Sequence, residues 1–491
     1  LQVEGLRVEM TGAAVRRLHR SYQASIPNTD ADERREESMA TINRRQFLRG
    51  VAAGAGALTL AACGGGTTTE PTAAPAQPTA APPTAMPQSG MGSTVEITYW
   101  GSFSGVLGEA EQATVEAFNS MQQDVKVNYQ FQGNYEETAQ KLTAAVQARQ
   151  TPDVSLLSDV WWFSFYINGQ LQPLDDLMAA EGVKREAYVD VLLNEGIRKN
   201  TVYWIPFARS TPLFYYNKNA WAEAGLEDRA PKTWDEFIEW APKLNKEGRS
   251  AFAHPSAASY IAWLFQGVIW QFGGRYSDPD FTIRIHEEGG IRAGNFYRDT
   301  TQTYKWATTP KDVTQDFVTG LTASAMLSTA ALAGVEKNAQ FPVGTGFLPE
   351  GPAGFGCCTG GAGMAILAGL PAEKQRAAMK WIAFATGEEW TINWAQRTGY
   401  MPVRKAAVQS ESMQKYFTER PNFRTAVEQL PKTRPQDSAR VYVRGGDQII
   451  GKGLERITVA GEDPAKVWMD VKKELEEAAA PTVELLKTVE G

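Results

Sequence analysis

The sequence predicts an α/β fold, and three stretches carry that prediction. Val95, Ile97 and Tyr99 alternate with Glu96 and Thr98, and Val125, Val127, Tyr129 and Phe131 alternate with Lys126, Asn128 and Gln130, which is the two-residue period of half-buried strands. A helical segment from about 107 to 120 lies between them. After the second strand, Asn134 and Glu137 suit an N-cap and its N3 partner, with Ala139, Leu142 and Val146 following on one apolar face. "PDVSLL" at 152–157 is a third strand candidate, apolar enough for full burial. Strand, helix, strand, helix, strand implies parallel pairing in an α/β lobe.

The chain reads differently ahead of that lobe. Residues 1–38 end in the charged "TDADERREES" just before Met39 and are expected to be a non-native N-terminal extension. Residues 39–62 are a candidate signal peptide: Arg44 and Arg45 form a basic pair, Phe47 and Leu48 follow, and 50–62 is a mildly apolar run rich in Gly and Ala. A hydrocarbon core of about 30 Å needs about 20 strongly apolar residues, so this run suits a secretory signal better than a spanning helix. "NRRQFLR" resembles a twin-arginine export signal. Leu60-Ala61-Ala62-Cys63 resembles a bacterial lipobox, in which Cys63 becomes an acylated N-terminus and so a membrane anchor. A buried Ala/Gly helix with an inert thiol is the plain alternative. Residues 63–93 join that Cys to a tract of Thr, Pro, Ala and Gly that no packed core can use, a disordered linker.

A helix-rich region follows "YYNKNAW". Thr233 and Glu236 make a capping box, Phe237, Trp240 and Leu244 recur at helical spacing, and Pro242 should kink or end that helix. Later helices carry Trp381, Phe384 and Trp394. "RTGYMP" stops the last of them, with Gly399 suited to a left-handed turn and Pro402 just beyond.

Composition narrows the function. The chain of 491 residues has a formal net charge of −7, and removing residues 1–62 leaves 40 basic against 49 acidic side chains, which argues against a nucleic-acid partner. After Cys63 only the adjacent Cys357 and Cys358 remain, so there is no disulfide framework. Three His, at 19, 254 and 286, are too scattered for a metal site, and no cofactor is expected.

"GNYEE" at 133, "PFARSTPLFYYNKNAWAEAGL" from 206, "PKTWDEF" at 231, "TGGAG" at 359 and "RTGYMPVRKAA" from 397 together resemble the extracellular solute-binding proteins of ABC importers (family 1), most closely the glycerol-3-phosphate-binding subfamily. The resemblance runs from Thr94 to about Leu486. It implies a two-lobe periplasmic-binding-protein fold with an interlobe cleft and crossing hinge strands, divided as 94–209 plus 330–365 in lobe 1 and 210–329 plus 366–491 in lobe 2. It implies that Tyr135 is a cleft tyrosine, that Asp159 grips ligand hydroxyls, that Ser210 lies on the hinge side, and that Gly361 and Tyr400 contact the phosphate. Two positions depart from the family. Its phosphate-side serine is Ala330 here, beside Ser328 and Thr329, and its phosphate-binding arginine falls near Gln448, with Arg444 close by. A neutral sugar, or a phosphodiester with one fewer charge, fits these substitutions at least as well as glycerol 3-phosphate.

The residue types suit such ligands. A carboxylate accepts two hydroxyl protons at once, while Tyr and Trp rings cover C–H faces and keep a polar edge. Trp161, Trp162, Tyr260 and Trp263 are further aromatic candidates, each with core packing as its plain alternative, and Trp162, Tyr260, Thr329 and Arg444 complete the set of candidate contacts. "GFGCCTGGAG" lacks the Lys-Ser/Thr pair of a phosphate loop, and its glycines suit a close backbone approach or a hinge bend. Cys357 and Cys358 there are expected to be reduced and packed, with a vicinal disulfide as the alternative. The adjacent carboxylates Asp175-Asp176 and Glu388-Glu389 do not face each other across a bond as hydrolysis requires, and no catalytic signature is present, so no enzyme activity is expected. The expectation is therefore a monomeric, lipid-anchored receptor outside the cytoplasmic membrane, periplasmic or extracellular, that captures glycerol 3-phosphate, a glycerophosphodiester or a sugar and delivers it to an ABC permease. A carbohydrate-binding chemosensory protein or a surface glycan-active protein is the rival.

Overall fold

The alternating stretches form β1 (Val95–Gly101) and β2 (Val125–Phe131), which pair in parallel with Val95 opposite Val125, and β3 (Val154–Ser158) pairs in parallel with β1 on its other side. The computed structural model describes residues 94–257 and 260–491; the expectations for 1–38, 39–62 and 63–93, including lipidation at Cys63, lie outside the described residues. Helices Gly105–Met121 and Tyr135–Ala148 make the crossovers. The second begins with a complete capping box, in which the Glu137 amide donates to Asn134 Oδ1 at 3.0 Å and the Asn134 amide donates to Glu137 Oε2 at 2.8 Å.

A short hairpin of β4 (Ile197–Arg198) and β5 (Thr201–Val202) precedes β6 (Ile205–Ser210). Thr211 alone separates β6 from β7 (Pro212–Asn217), which begins a second sheet with β8 (Phe252–Ala253), β9 (Ala307–Thr308), β10 (Ser324–Ser328) and β11 (Val343–Gly346). The chain returns through 347–359 to β12 (Gly360–Ile366) in the first sheet. The orders are β2-β1-β3-β12-β6 and β11-β7-β10-β8-β9, so the described residues form two α/β lobes joined by crossing segments. β12 runs antiparallel to both β3 and β6. The carboxyl ends of β1, β3 and β6 therefore share one edge with the start of β12, and the chain crosses between lobes at that edge.

The lobe division differs from the sequence expectation in two places. β11 pairs with β7 in the second sheet, not the first. Helix Ala372–Ala385 packs on β1, and Glu388–Thr398 packs on Gly105–Met121, so 372–398 belongs with the first sheet. The turn between β12 and Ala372 is too short to leave that sheet, and consecutive elements stay neighbours.

Thr233 Oγ1 caps its helix by accepting from the Glu236 amide at 3.1 Å, but the reciprocal half of that box is absent. Glu236 instead accepts from the Lys232 amide and pairs with Arg229. The helix Trp234–Leu244 ends two residues after Pro242. Phe214 of β7 meets Phe237 of that helix edge-on, with centroids 5.4 Å apart, inside an aromatic core where each fully buried ring contributes about 2–3 kcal/mol. Among the described residues no helix is long and apolar enough to cross a membrane.

Candidate functional site

Asp159 follows directly on β3 at the shared edge. Its amide donates to the Gly361 carbonyl at 2.9 Å, which ties the acid to the first residues of β12. A Cβ on Gly361 would lie 2.1 Å from the Ala208 carbonyl oxygen, and its φ is +107°, so glycine is required there by the approach of β6. The carboxylate of Asp159 turns toward the other lobe, accepting from Gln436 Nε2 at 2.7 Å and lying 3.4 Å from Arg440 Nη1.

Gln436 and Arg440 sit on a turn and short helix, Ser438–Val441, fastened to the second lobe by Asp437. That carboxylate accepts from Gln266 Nε2 at 2.8 Å, from Trp270 Nε1 at 3.2 Å and from the Tyr276 amide at 2.7 Å. Arg440 Nη1 also donates to Gln436 Oε1, and Arg440 Nε lies 2.6 Å from Asp447 Oδ1. Burial works against the charge of Arg440, but Asp447 and Asp159 outweigh it and hold the guanidinium above its usual pKa. Burial raises Asp447 above the usual carboxylate range even with Arg440 beside it.

The floor between the lobes carries a second buried pair. Arg209 of β6 donates from Nη2 to Glu195 and stacks over Trp204 with its guanidinium carbon 4.9 Å from the ring centroid. Thr359 Oγ1 donates to the same carboxylate, which burial nonetheless raises above its usual pKa. A cavity of about 330 Å³ opens beside these groups, lined by Asp159, Trp162, Asn194, Glu195, Gln436 and Tyr442 among others, a size suited to a small solute.

Of the sequence-predicted residues, Tyr135 and Tyr400 are brought together, their hydroxyls 3.3 Å apart. Tyr400 stacks on Trp394 at 5.7 Å and Tyr135 packs edge-on against Phe103 at 5.6 Å. Ser210 is buried at the end of β6, opposite Gly360. Trp162 lines the cavity although it is 1% exposed, stacked on Trp204. Tyr260 precedes helix Ile261–Gln271 with its ring 6.0 Å from that of Trp263, whose Nε1 donates to the Thr359 carbonyl. Thr329 is buried at a crossing segment, its amide donating to the Thr211 carbonyl at 3.2 Å. Ser328 Oγ accepts from the Ala330 amide. Arg444 is exposed, over the Trp161 ring at 5.9 Å, and lines a small pocket shared with Arg440 and Asp447. Cys357 and Cys358 are free, buried thiols at the crossing, and burial pushes Cys357 up to about 12.

The residues that sequence reasoning missed are Glu195, Arg209, Gln436, Arg440, Tyr442 and Asp447. Arg440 lies four residues before Arg444 in the same stretch, but it sits on the short helix Ser438–Val441 and is buried, whereas Arg444 falls beyond that helix and is exposed. Arg209 was visible inside "PFARSTP", but nothing in the sequence set Glu195 opposite it.

Residues 113–422 match the family described as bacterial extracellular solute-binding protein. The sn-glycerol-3-phosphate-binding periplasmic protein UgpB of Pectobacterium atrosepticum is 24% identical over 405 residues, covering 79% of this chain and 90% of that protein. The crystal structure of UgpB from Mycobacterium tuberculosis in complex with glycerophosphocholine superposes with a TM-score of 0.76 at 43% identity, covering 79% of this chain and all of that one. The GacH receptor of Streptomyces glaucescens, solved unliganded and with acarbose, shares the fold with a TM-score of 0.68 at 19% identity, covering 78% of this chain and 98% of that one.

Proposed function

The chain belongs to the bacterial extracellular solute-binding protein family, and on that premise we propose that it is the capturing component of an ABC importer whose solute is a glycerophosphodiester. The observation that carries this reading is Arg440, a buried guanidinium of one lobe that reaches Asp159 of the other across the cleft. Such a guanidinium binds a phosphate through charge-assisted hydrogen bonds, while a carboxylate at Asp159 takes the paired hydroxyls of a glycerol. Tyr135, just after β2, Ser210, at the end of β6, Gly361, at the start of β12, and Tyr400, whose hydroxyl is 3.3 Å from that of Tyr135, lie toward the same edge of the first sheet, which supports including them in the surround. The solute exchanges into the contacts that Gln436 and Arg440 make with Asp159, so it favours the form in which the lobes meet around it. It leaves chemically unchanged.

A neutral oligosaccharide is the second reading, favoured by the rings of Trp162 and Tyr442 beside the carboxylates of the cavity. Calorimetric titration of glycerophosphocholine, glycerol 3-phosphate and maltose against residues 94–491 separates them. The phosphodiester is expected to bind, and Asp159→Ala and Arg440→Ala each to weaken it by about tenfold or more, the contribution of a hydrogen bond to a charged group. Binding of maltose alone, or unchanged affinity in both variants, overturns the reading.

Export by the twin-arginine route and anchorage through an acylated Cys63 complete the proposal and are supported by the order of the basic pair, the apolar run and the Leu-Ala-Ala-Cys sequence. Mass spectrometry of the membrane-extracted protein checks it: a diacylglyceryl adduct on Cys63 is expected, and an unmodified Cys63 thiol refutes the anchor.

A further inference from the structure

Arg440 does not stand alone in the cleft: besides Asp159 it has a second carboxylate partner, Asp447. The guanidinium is held between two carboxylates, Asp159 by Nη1 and Asp447 by Nε, with side-chain exposures of 6% for Arg440, 8% for Asp159 and 18% for Asp447. Asp447 lies in the first turn of helix Gly446–Thr458. Its Oδ1 and Arg440 Nε are buried and in ionic contact at 2.6 Å without an aligned hydrogen bond. Asp447 also feels Asp159 and Glu136 as like charges. Glu136, at the start of helix Tyr135–Ala148, accepts from Trp161 Nε1 at 3.1 Å and from Gln448 Nε2 at 3.3 Å.

The charges around the cleft can be counted. Asp159, Glu195, Glu136 and Asp447 are four carboxylates; Arg209 and Arg440 are the buried guanidiniums facing them, Arg209 paired with Glu195 through Nη2 while its Nε and Nη1 have no hydrogen-bond partner among the described residues, and the exposed Arg444 is a third cation beside Asp447. A phosphate that docks on Arg440 therefore meets a cation whose charge is matched and whose Nε side is taken, in surroundings where carboxylates are in excess. A phosphomonoester brings close to two negative charges at neutral pH. A phosphodiester brings one, and a diester whose alcohol carries an ammonium brings none. Like charge brought into a desolvated site is strongly penalised.

We propose that Asp447 is a specificity-determining residue that sets the charge of the accepted solute, turning away phosphomonoester dianions and admitting phosphodiesters. This rests on the reading that the solute is a phosphate ester of glycerol, and its failure can be told apart from the failure of that reading.

The experiment measures dissociation constants of glycerol 3-phosphate, glycerophosphoglycerol and glycerophosphocholine for the native chain, Asp447→Asn and Asp447→Glu. The native protein is expected to prefer both diesters to the monoester. Asp447→Asn is expected to shift that preference toward glycerol 3-phosphate by about tenfold, or about 1.4 kcal/mol, and Asp447→Glu, which keeps the charge, to retain the native preference. A purely structural role would change all three affinities together, so an unchanged ratio in Asp447→Asn overturns the assignment. So does a native preference for the monoester. If the native chain binds none of the three esters, the proposed function itself fails. Thermal unfolding of each variant establishes that the folded protein is being compared, and should Asp447→Asn not fold, Asp447→Ser supplies the neutral side chain for the same ratio.

Discussion

Glu111 is a carboxyl group with no exposed surface. It sits inside the first lobe on helix Gly105–Met121 and accepts from Tyr99 Oη at 2.5 Å and Tyr129 Oη at 2.8 Å. Burial pushes it up to about 7, although the two phenols and the Phe103 amide pull the other way. In the unfolded chain the same group titrates near about 4.3. Below that pH both states are protonated. Between the two values the unfolded chain loses its proton and the folded one keeps it, so stability falls as pH rises through this window and then levels off. Glu111 is expected to make the protein less stable at pH 8 than at pH 5 by about 3 kcal/mol, and Glu111→Gln to remove that slope. Urea titrations at the two pH values check it; parallel slopes in both proteins would disprove it. Residues at this scale were unevenly legible. Tyr135 and Tyr400 stood out because each lies in a short motif. Glu111, Glu195 and Arg440 did not, because their meaning depends on partners 12, 14 and hundreds of residues away.

At the scale of elements, the stretch 434–447 is a hook held out from the second lobe. It has one short helix of its own, and its geometry comes from what it is tied to: Asp437 on Gln266, Trp270 and Tyr276, and the Ala439 amide on Ser277 Oγ at 2.9 Å. Its placement sets where Gln436 and Arg440 meet Asp159. Asp437→Ala strips an acceptor from three donors, each costing about 1–3 kcal/mol if left buried and unpaired. The expected outcome is a loss of solute affinity of about tenfold or more, with the unfolding midpoint lowered by several degrees. Unchanged affinity at a lowered midpoint would show that the hook is positioned by other contacts. Elements with periodic sequence were legible: β1 to β3, the helices between them, the Asn134 cap and the Gly399 stop, whose φ is 92°. The hook was not, because local periodicity is absent where tertiary hydrogen bonds make the shape.

The described residues as a whole form two lobes that meet in more places than the cleft. Away from the crossing segments, the end of the long helix Pro464–Val489 reaches from the second lobe to the first, where Glu490 pairs with Arg198 of β4 through two contacts of 2.7 Å and accepts from Tyr166 Oη at 3.0 Å. Beside it Tyr442 of the hook packs on Phe163 with centroids 4.2 Å apart, and Arg198 lies 5.1 Å over the Phe163 ring. These contacts span the two lobes, so they favour the form in which the lobes meet, in the same direction as a solute does. A solute that needs the closed form binds with an apparent dissociation constant raised by the inverse of the closed fraction. Arg198 and Glu490 keep 25% and 15% side-chain exposure, so solvent screens them and the pair contributes about 1 kcal/mol or less to closure. Glu490→Gln is therefore expected to open the lobes measurably in small-angle scattering of the unliganded protein and to weaken solute binding a few-fold, leaving the preference among solutes intact because Glu490 does not line the cleft cavity. High salt should reproduce part of the effect in the native chain and none in the variant. Equal scattering profiles and equal affinities in both proteins would show that closure is governed by the cleft and the crossing segments alone.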